Sequence, residues 1–480
     1  MLPEIAALRF GLGARPGELD DVSREPRAWL RAQISGPVAL ESAVTLAPSA
    51  QILAAFLTAR ARRQQLNNDA GAAPPTVEPK NIYLEHYRAQ VLARAQSATL
   101  TRRPFAERLV HFWSNHFAVS ADKGLVTGIA GTLENEAIRP HACGYFADLL
   151  LAVERHPAMI AFLDNHESVG PNSPAARFLQ LRTASRRRGI NENLAREILE
   201  LHTLGVDGGY TQADVGCFAR VLTGWSIGRL QDASKGAMHS TPRDAQAAAA
   251  GDASRGEGDA AGHFMFREHV HEPGPQVVLG RRFSEDGMSQ GEAVLRMLAQ
   301  HPSTAHFLAT KLARHFIADD PPAAAVERLT IAYRRSEGYL PAVYEALVNE
   351  ELAWQWPATK YKTPQDLVFS TLRALQITPQ EPQEILRSFE FLGQRSFTPG
   401  SPAGWPDTAR SWDGSDALLH RVLWATRVGE RFEQGHDPLA LCRETLGRCA
   451  RPETLSAVGH AASGSQALAL LILSPEFQRR

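Results

Sequence analysis

Three short segments of this 480-residue chain hold side chains that could move protons or hold a metal. The first is His111-Phe-Trp-Ser-Asn-His116-Phe117, which packs two histidines, an asparagine and three aromatics into seven residues. On a helix, Trp113 and Phe117 lie four apart and face the core, while Phe112 and His116 share another face. The five-residue step from His111 to His116 separates the two rings, so each would need co-ligands from elsewhere. The plainer reading has the histidines and Asn115 satisfying buried backbone groups at a helix end.

The second segment runs from Asn191 to His202. Asn193, Glu197 and Glu200 recur at i, i+4 and i+7 and form one polar stripe beside the apolar stripe of Leu194, Ile198 and Leu201. Two carboxylates one turn apart repel unless a cation or a protonated partner lies between them. Such a stripe can offer an acid and a base to a substrate, or two ligands to a divalent ion. Its alternative is a solvated face with Arg196 and Glu200 paired at i, i+4. The third segment is His269-Val-His271-Glu-Pro-Gly-Pro, where two histidines at i, i+2 on a strand would face the same way and could chelate a metal. Read otherwise, these are loop histidines.

Together these residues define the expected site. Asn115, His116, Glu197 and Glu200 are the catalytic candidates, and His116, Glu197, Glu200, His202 and His271 are the candidate ligands of a divalent metal. The cluster points to an enzyme with a buried polar site, working either as an acid–base relay or as a metal centre. A non-catalytic role as a partner protein is the other class left open, because the familiar catalytic signatures are missing. There is no Walker loop, no GxGxxG and no HExxH helix. The four cysteines include no CxxC pair, which argues against a zinc ribbon or a thioredoxin-like centre. A net charge of −1 offers no bulk basic field for nucleic acid.

The elements that must position these groups are helices. Apolar residues at 44% and charged residues at 21% describe an ordinary globular chain. Apolar periodicity of 3.6 residues recurs over 82–99, 103–117, 192–204, 212–223, 286–299, 303–316, 322–335, 339–349, 363–375 and 415–432, and again to 473. Thr211 with Asp214 has capping-box form, Ser303 precedes an apolar helix, and Thr363-Pro364 opens another. Gly205 sits where a helix C-terminus needs a left-handed residue. The fold class expected is mostly α, a large multi-helix array with a minor β-hairpin near 262–284, built from HFMFREH and QVVLGRRF around the turn HEPGP. Residues 231–261 contain almost no large apolar side chain and read as a disordered insertion, and 66–80 reads as a Pro- and Asn-rich loop. The expected organisation is a helical unit over 1–230, the insertion, and a second layer over 262–480 packed on the first. No apolar run approaches the ~20 residues of a membrane span, and the N-terminus lacks signal-peptide form, so a cytoplasmic location is expected for the sequence as given, with a periplasmic one left open.

Several long motifs, in order, carry a resemblance. HFWSNHF, AIRPHACGYFADLLLAVERHPAMIAFLDN, NENLAREILELHTLGVDGGYTQADV, LTGW, HEPG and PAGWPD, with the opening RFGLGARPGEL and the Lys362-Thr-Pro helix start, resemble the bacterial domain-of-unknown-function 1800 family over about residues 5–475. The resemblance implies no established catalytic residue. It does imply a partner, since members of the family are often encoded beside a sulfatase-like protein.

Overall fold

Apolar side chains at helical spacing decide the architecture: 61% of the chain is helical and 4% is strand. The structure is a computed structural model and describes residues 2–68, 78–180, 189–229 and 261–480. The expected insertion at 231–261 lies outside the described residues except for Ala261, as does most of the loop expected at 66–80.

Eight helices carry much of the core and the site: α1 (Pro79–Leu100), α2 (Pro104–His116), α3 (Phe146–Arg155), α4 (Gln212–Val221), α5 (Pro302–Phe316), α6 (Pro364–Ala374), α7 (Ser415–Phe432) and α8 (Gly464–Leu473). Helices α1, α2, α5 and α6 each begin with proline, whose fixed φ suits the first turn and whose missing N–H costs nothing there. Thr211 forms the capping box with Asp214 that its spacing suggests, and Thr363, expected only as a helix start, forms a second box with Asp366. Helix α5 is capped differently from the expectation: the His301 ring accepts from the Ser303 N–H, which places Ser303 inside the helix. Gly205 adopts φ +86° at the end of the 193–203 helix, as a left-handed terminus requires.

Within that helix the residues Ile198–Thr203 wind as a π-turn. The extra residue per turn shifts the phase of every side chain after Glu197, so the stripe counted at 3.6 residues is not the stripe the chain presents.

One buried cluster runs from Ile5 to Phe477 and draws on both ends of the chain. Phe10 stacks on Phe316 and meets Phe105 edge-on, and Arg9 donates to the carbonyl of Ala353 at 2.5 Å. Helix α2 lies at its centre, with eleven of its thirteen residues buried. A polar side chain on such a helix has either to be partnered inside the protein or to face a cavity. Glu107 takes the first course: it holds Arg139 at 2.6 Å in a buried lattice that extends through Glu134 to Arg94.

Among the described residues the strands form two antiparallel pairs. β1 (Trp225–Ile227) pairs with β2 (Phe264–Phe266), and β3 (Gln276–Val278) pairs with β4 (Arg281–Phe283). The hairpin therefore lies in the expected region, but it is QVVLGRRF folded on itself. Its two-residue turn has positive φ at both Leu279 (51°) and Gly280 (73°), the form that matches strand twist, and the Leu279 N–H is held by Asp214 at 2.7 Å. HFMFREH pairs instead with the strand before the insertion. No helix among the described residues is long and apolar enough to cross a membrane.

Candidate functional site

A cavity of about 420 Å³ opens between α2, α5, the first turn of α6 and the segment 394–411. Helix α2 contributes Arg108, His111, Asn115 and His116 to its wall, and α5 contributes Lys311 and His315. Both sets follow helical spacing: i, i+3, i+7 and i+8 on α2, i and i+4 on α5. On α2 this is a polar stripe on a helix otherwise committed to the core, and on α5 it borders the apolar face of an amphipathic helix.

The sharpest geometry is at His315. Its Nδ1 lies 2.6 Å from Oδ2 of Asp407, which the segment Trp405-Pro406-Asp407 brings across the cavity. Burial drives the imidazole pKa down to about 4 against the pull of Asp407. The carboxyl is pushed up by burial as well, but His315, Arg480 and Lys360 outweigh that and hold it at about 2. At neutral pH the pair is thus a neutral imidazole donating its Nδ1–H to a carboxylate, with the lone pair on Nε2. That Nε2 is buried and has no hydrogen-bond partner among the described residues.

Asp407 is itself fixed. Nη2 of Arg480 lies 3.2 Å from its Oδ1, and the ammonium of Lys360 donates to its backbone carbonyl at 2.5 Å. Arg480 is wholly buried and also holds Asp366 through Nε at 3.0 Å; Arg108 reaches the other oxygen of Asp366 at 2.9 Å. The same Asp366 is the capping-box carboxylate of α6, so the helix start, the arginines and the His315–Asp407 pair form one network.

Asn115 shapes the other end of this segment. Its Oδ1 accepts from the Trp405 N–H at 2.7 Å and its Nδ2 donates to the Trp405 carbonyl at 2.9 Å. Gly404 lies against it with φ +82°, where a side chain would collide with Asn115.

Of the residues singled out from sequence, Asn115 and His116 line this cavity and Glu197, Glu200, His202 and His271 do not. His116 is buried and its Nε2 donates to the carbonyl of His202 at 3.1 Å, with the two rings 6.2 Å apart. His202 turns away to Glu154 of α3, 2.7 Å from its Nδ1. Glu197 and Glu200 are half-buried. Burial raises the Glu197 pKa, opposed by His202 and helped by Glu200, while Glu200 accepts from Tyr210 at 3.2 Å. Arg196 pairs with Glu192 at 3.2 Å. His271 is occupied with the carbonyl of Thr223 at 2.8 Å. Among the described residues, no three His, Cys, Asp or Glu side chains gather as the ligands of one ion would.

Sequence reasoning missed His315, Lys311, Asp366, Asp407 and Arg480. A signal for the first two was present: in LATKLARHF, Lys311 and His315 interrupt an apolar helix at i, i+4. The string Gly224-Trp225-Ser226-Ile227-Gly228 has the GxSxG spacing of a nucleophile elbow, yet Ser226 lies mid-strand in β1, not at a strand-to-helix turn. Its Oγ is buried without a partner among the described residues, and it lies outside the cavity wall.

The family model described as protein of unknown function (DUF1800) matches residues 5–479. No curated protein and no solved structure matches the chain.

Proposed function

From the premise that the chain belongs to the DUF1800 family of proteins of unknown function, we propose that it is an acid–base enzyme whose general base is His315. The observation that carries this reading is the 2.6 Å bond from His315 Nδ1 to Asp407 in the wall of a cavity, with Nε2 left unpartnered. A neutral imidazole so oriented takes a proton at Nε2 from a water or a substrate hydroxyl. Asp407 fixes the tautomer and stabilises the imidazolium that forms. The proton then returns from Nε2 to the departing group. Asn115 enters as a positioning residue that holds the Trp405–Asp407 segment, and His116 as part of the cavity wall.

A panel of chromogenic esters, amides and phosphoesters tests it. At least one class should be turned over by the wild-type protein and lost, at an unchanged melting temperature, in His315→Gln. Turnover of none, or full activity in His315→Gln, ends the reading.

A second reading draws on another face. Leu418, Leu419, Val422 and Leu423 form one side of α7, and each is at least 41% exposed. An apolar stripe at the surface is the ordinary mark of a protein contact. It fits the non-catalytic alternative, docking on the sulfatase-like protein that the family resemblance implies. In that case Leu419→Glu with Leu423→Glu abolishes co-purification with that partner and leaves the cavity's chemistry untouched.

A further inference from the structure

The charges in the cavity wall do not balance. Six of the lining side chains are Arg or Lys and two are Asp. Both carboxylates are already taken, Asp366 by Arg108 and Arg480, Asp407 by His315, Arg480 and Lys360. Arg94 pairs with Glu134 and Arg395 with Asp122, both outside the wall. Lys311, Arg314 and Arg410 are left with no ion pair among the described residues. Arg314 and Arg410 stand at the exposed mouth, where water solvates them at little cost.

Lys311 is different. It is half-buried and makes no hydrogen bond or ion pair among the described residues, and the Phe307 ring lies 5.5 Å from its ammonium. A cation withdrawn from water is ordinarily paired. One that faces a cavity unpaired has a place for an anion that arrives from outside.

We infer that the cavity binds a small molecule bearing an oxyanion group (carboxylate, phosphate or sulfate), held by Lys311 and Arg314, with its reacting atoms toward His315. The spacing supports the arrangement. Arg314 and His315 follow Lys311 at i+3 and i+4, so the three side chains leave α5 on one face, about 5–6 Å apart at Cβ. The anion site needs only the cavity; the orientation toward His315 rests on the acid–base reading.

Titration supplies a signature. Burial lowers the Lys311 pKa to about 8, with Asp407 opposing and Arg314 adding to the shift. The groups whose charge acts on the ammonium are Asp407 on the 394–411 segment, Arg314 on its own helix and His116 on α2, and His315 shares the cavity wall. Burial lowers the pKa of both histidines, so at pH 7 and above they are neutral and Lys311 is the group that changes charge. An anion binds the ammonium form, so binding should weaken as pH rises through about 8 and should take up a proton at pH 8.5.

Titration calorimetry with inorganic phosphate, inorganic sulfate and acetate, at ionic strength fixed with sodium chloride, tests this on the full chain. At least one probe should bind the wild type one to one. Lys311→Met should weaken it tenfold or more, and Lys311→Arg should bind without the proton uptake. The probe that binds most tightly identifies the anion class. Should Lys311→Met fail to fold, protection of Lys311 by the same anion against acetic anhydride, read by mass spectrometry, reports the same contact in the wild type. No binding beyond chloride, equal affinity in folded Lys311→Met, or no protection of Lys311 overturns the inference. His315→Gln should leave anion affinity unchanged. Normal turnover in His315→Gln with lost binding in Lys311→Met would therefore sink the acid–base reading alone, and the opposite pattern would sink the anion site alone.

Discussion

His315 and Asp407 stand 92 residues apart in sequence and 2.6 Å apart in space. The imidazole belongs to an amphipathic helix and the carboxylate to an irregular segment, so one hydrogen bond both closes the cavity wall and sets the ring's tautomer. Arg480 carries the same carboxylate on to Asp366 and the cap of α6. The pair is therefore anchored from two sides, which is what a base needs if its lone pair is to stay aimed.

Asp407→Asn removes the charge while keeping the shape. The imidazole loses the group that stabilises its protonated form, so turnover of any substrate found for the wild type should fall roughly 10²–10⁴-fold. The substrate's KM should change less, because Asp407 does not hold the anion. Steady-state kinetics of the two proteins decide it; an equal kcat would show the carboxylate to be structural.

Acid should weaken the fold before the carboxylates titrate. The folded pKa of His315, about 4, lies below the ~6.5 of an unfolded histidine, so unfolding takes up a proton. Stability from this group is complete above pH ~6.5 and is lost as pH falls toward 4, at up to ~1.4 kcal/mol per pH unit. Burial depresses His111 and His116 too and steepens the fall, whereas Asp407, at about 2, loses its share only below pH ~4. Urea unfolding at pH 7.5, 6 and 5 should show the slope, and His315→Gln should flatten it by one proton's worth. Parallel slopes would mean that the ring titrates freely in the folded protein.

Arg480→Met should destabilise the protein by about 3–5 kcal/mol, since it leaves two carboxylates in the interior without their shared cation. Coupling to Asp366→Asn is the check. The double variant should recover part of the loss, because removing the second charge removes part of the cause; strict additivity would place the cost elsewhere.

Much of this fold was readable from spacing alone. The helices of 103–117 and 363–375, the box at Thr211 and the helix start at Thr363 follow from periodicity and caps that act within a few residues. The site was readable only where it shares that locality. Asn115 and His116 face the cavity because one helix face carries them there. Asn193, Glu197 and Glu200 count as one stripe on a 3.6-residue pitch that the π-turn at Ile198–Thr203 breaks. His202 then finds Glu154, 48 residues away, and no local pattern announces that partner. Asp407 lies in a short irregular segment, where neither period 2 nor period 3.6 marks which way a side chain points.

Trp113 tests how tightly the centre is packed. It is wholly buried, and its Nε1 donates to the Tyr344 hydroxyl at 2.7 Å, which donates in turn to the carbonyl of Ala142 at 2.7 Å. Trp113→Ala should cost roughly 3–5 kcal/mol. Tyr344→Phe, which strands the indole N–H and the carbonyl, should cost about 1–3 kcal/mol. Denaturation midpoints of both variants measure this, and a wild-type midpoint in Trp113→Ala would contradict the burial.

Gly404→Ala should separate the fold of the cavity from its chemistry. Gly404 sits at φ +82°, where alanine is strained, and its new methyl would lie 2.7 Å from Oδ1 of Asn115 and closer still to the Asn115 carbonyl. The strain amounts to about 1–3 kcal/mol, and the protein can relieve it only by moving the segment away from α2. That motion breaks the paired bonds between Asn115 and the Trp405 backbone, and Asp407 follows Trp405 by two residues. The expected result is a small loss in melting temperature and a large loss of turnover, as the carboxylate leaves His315. Lys311 is on α5 and does not ride on this segment, so phosphate or carboxylate affinity should fall far less than kcat. Asn115→Asp offers an independent route to the same displacement, because it keeps the acceptor for the Trp405 N–H but sets a carboxylate oxygen against the Trp405 carbonyl. If both variants keep wild-type turnover, the 394–411 segment does not position the base, and Asp407 cannot be the residue that orients His315.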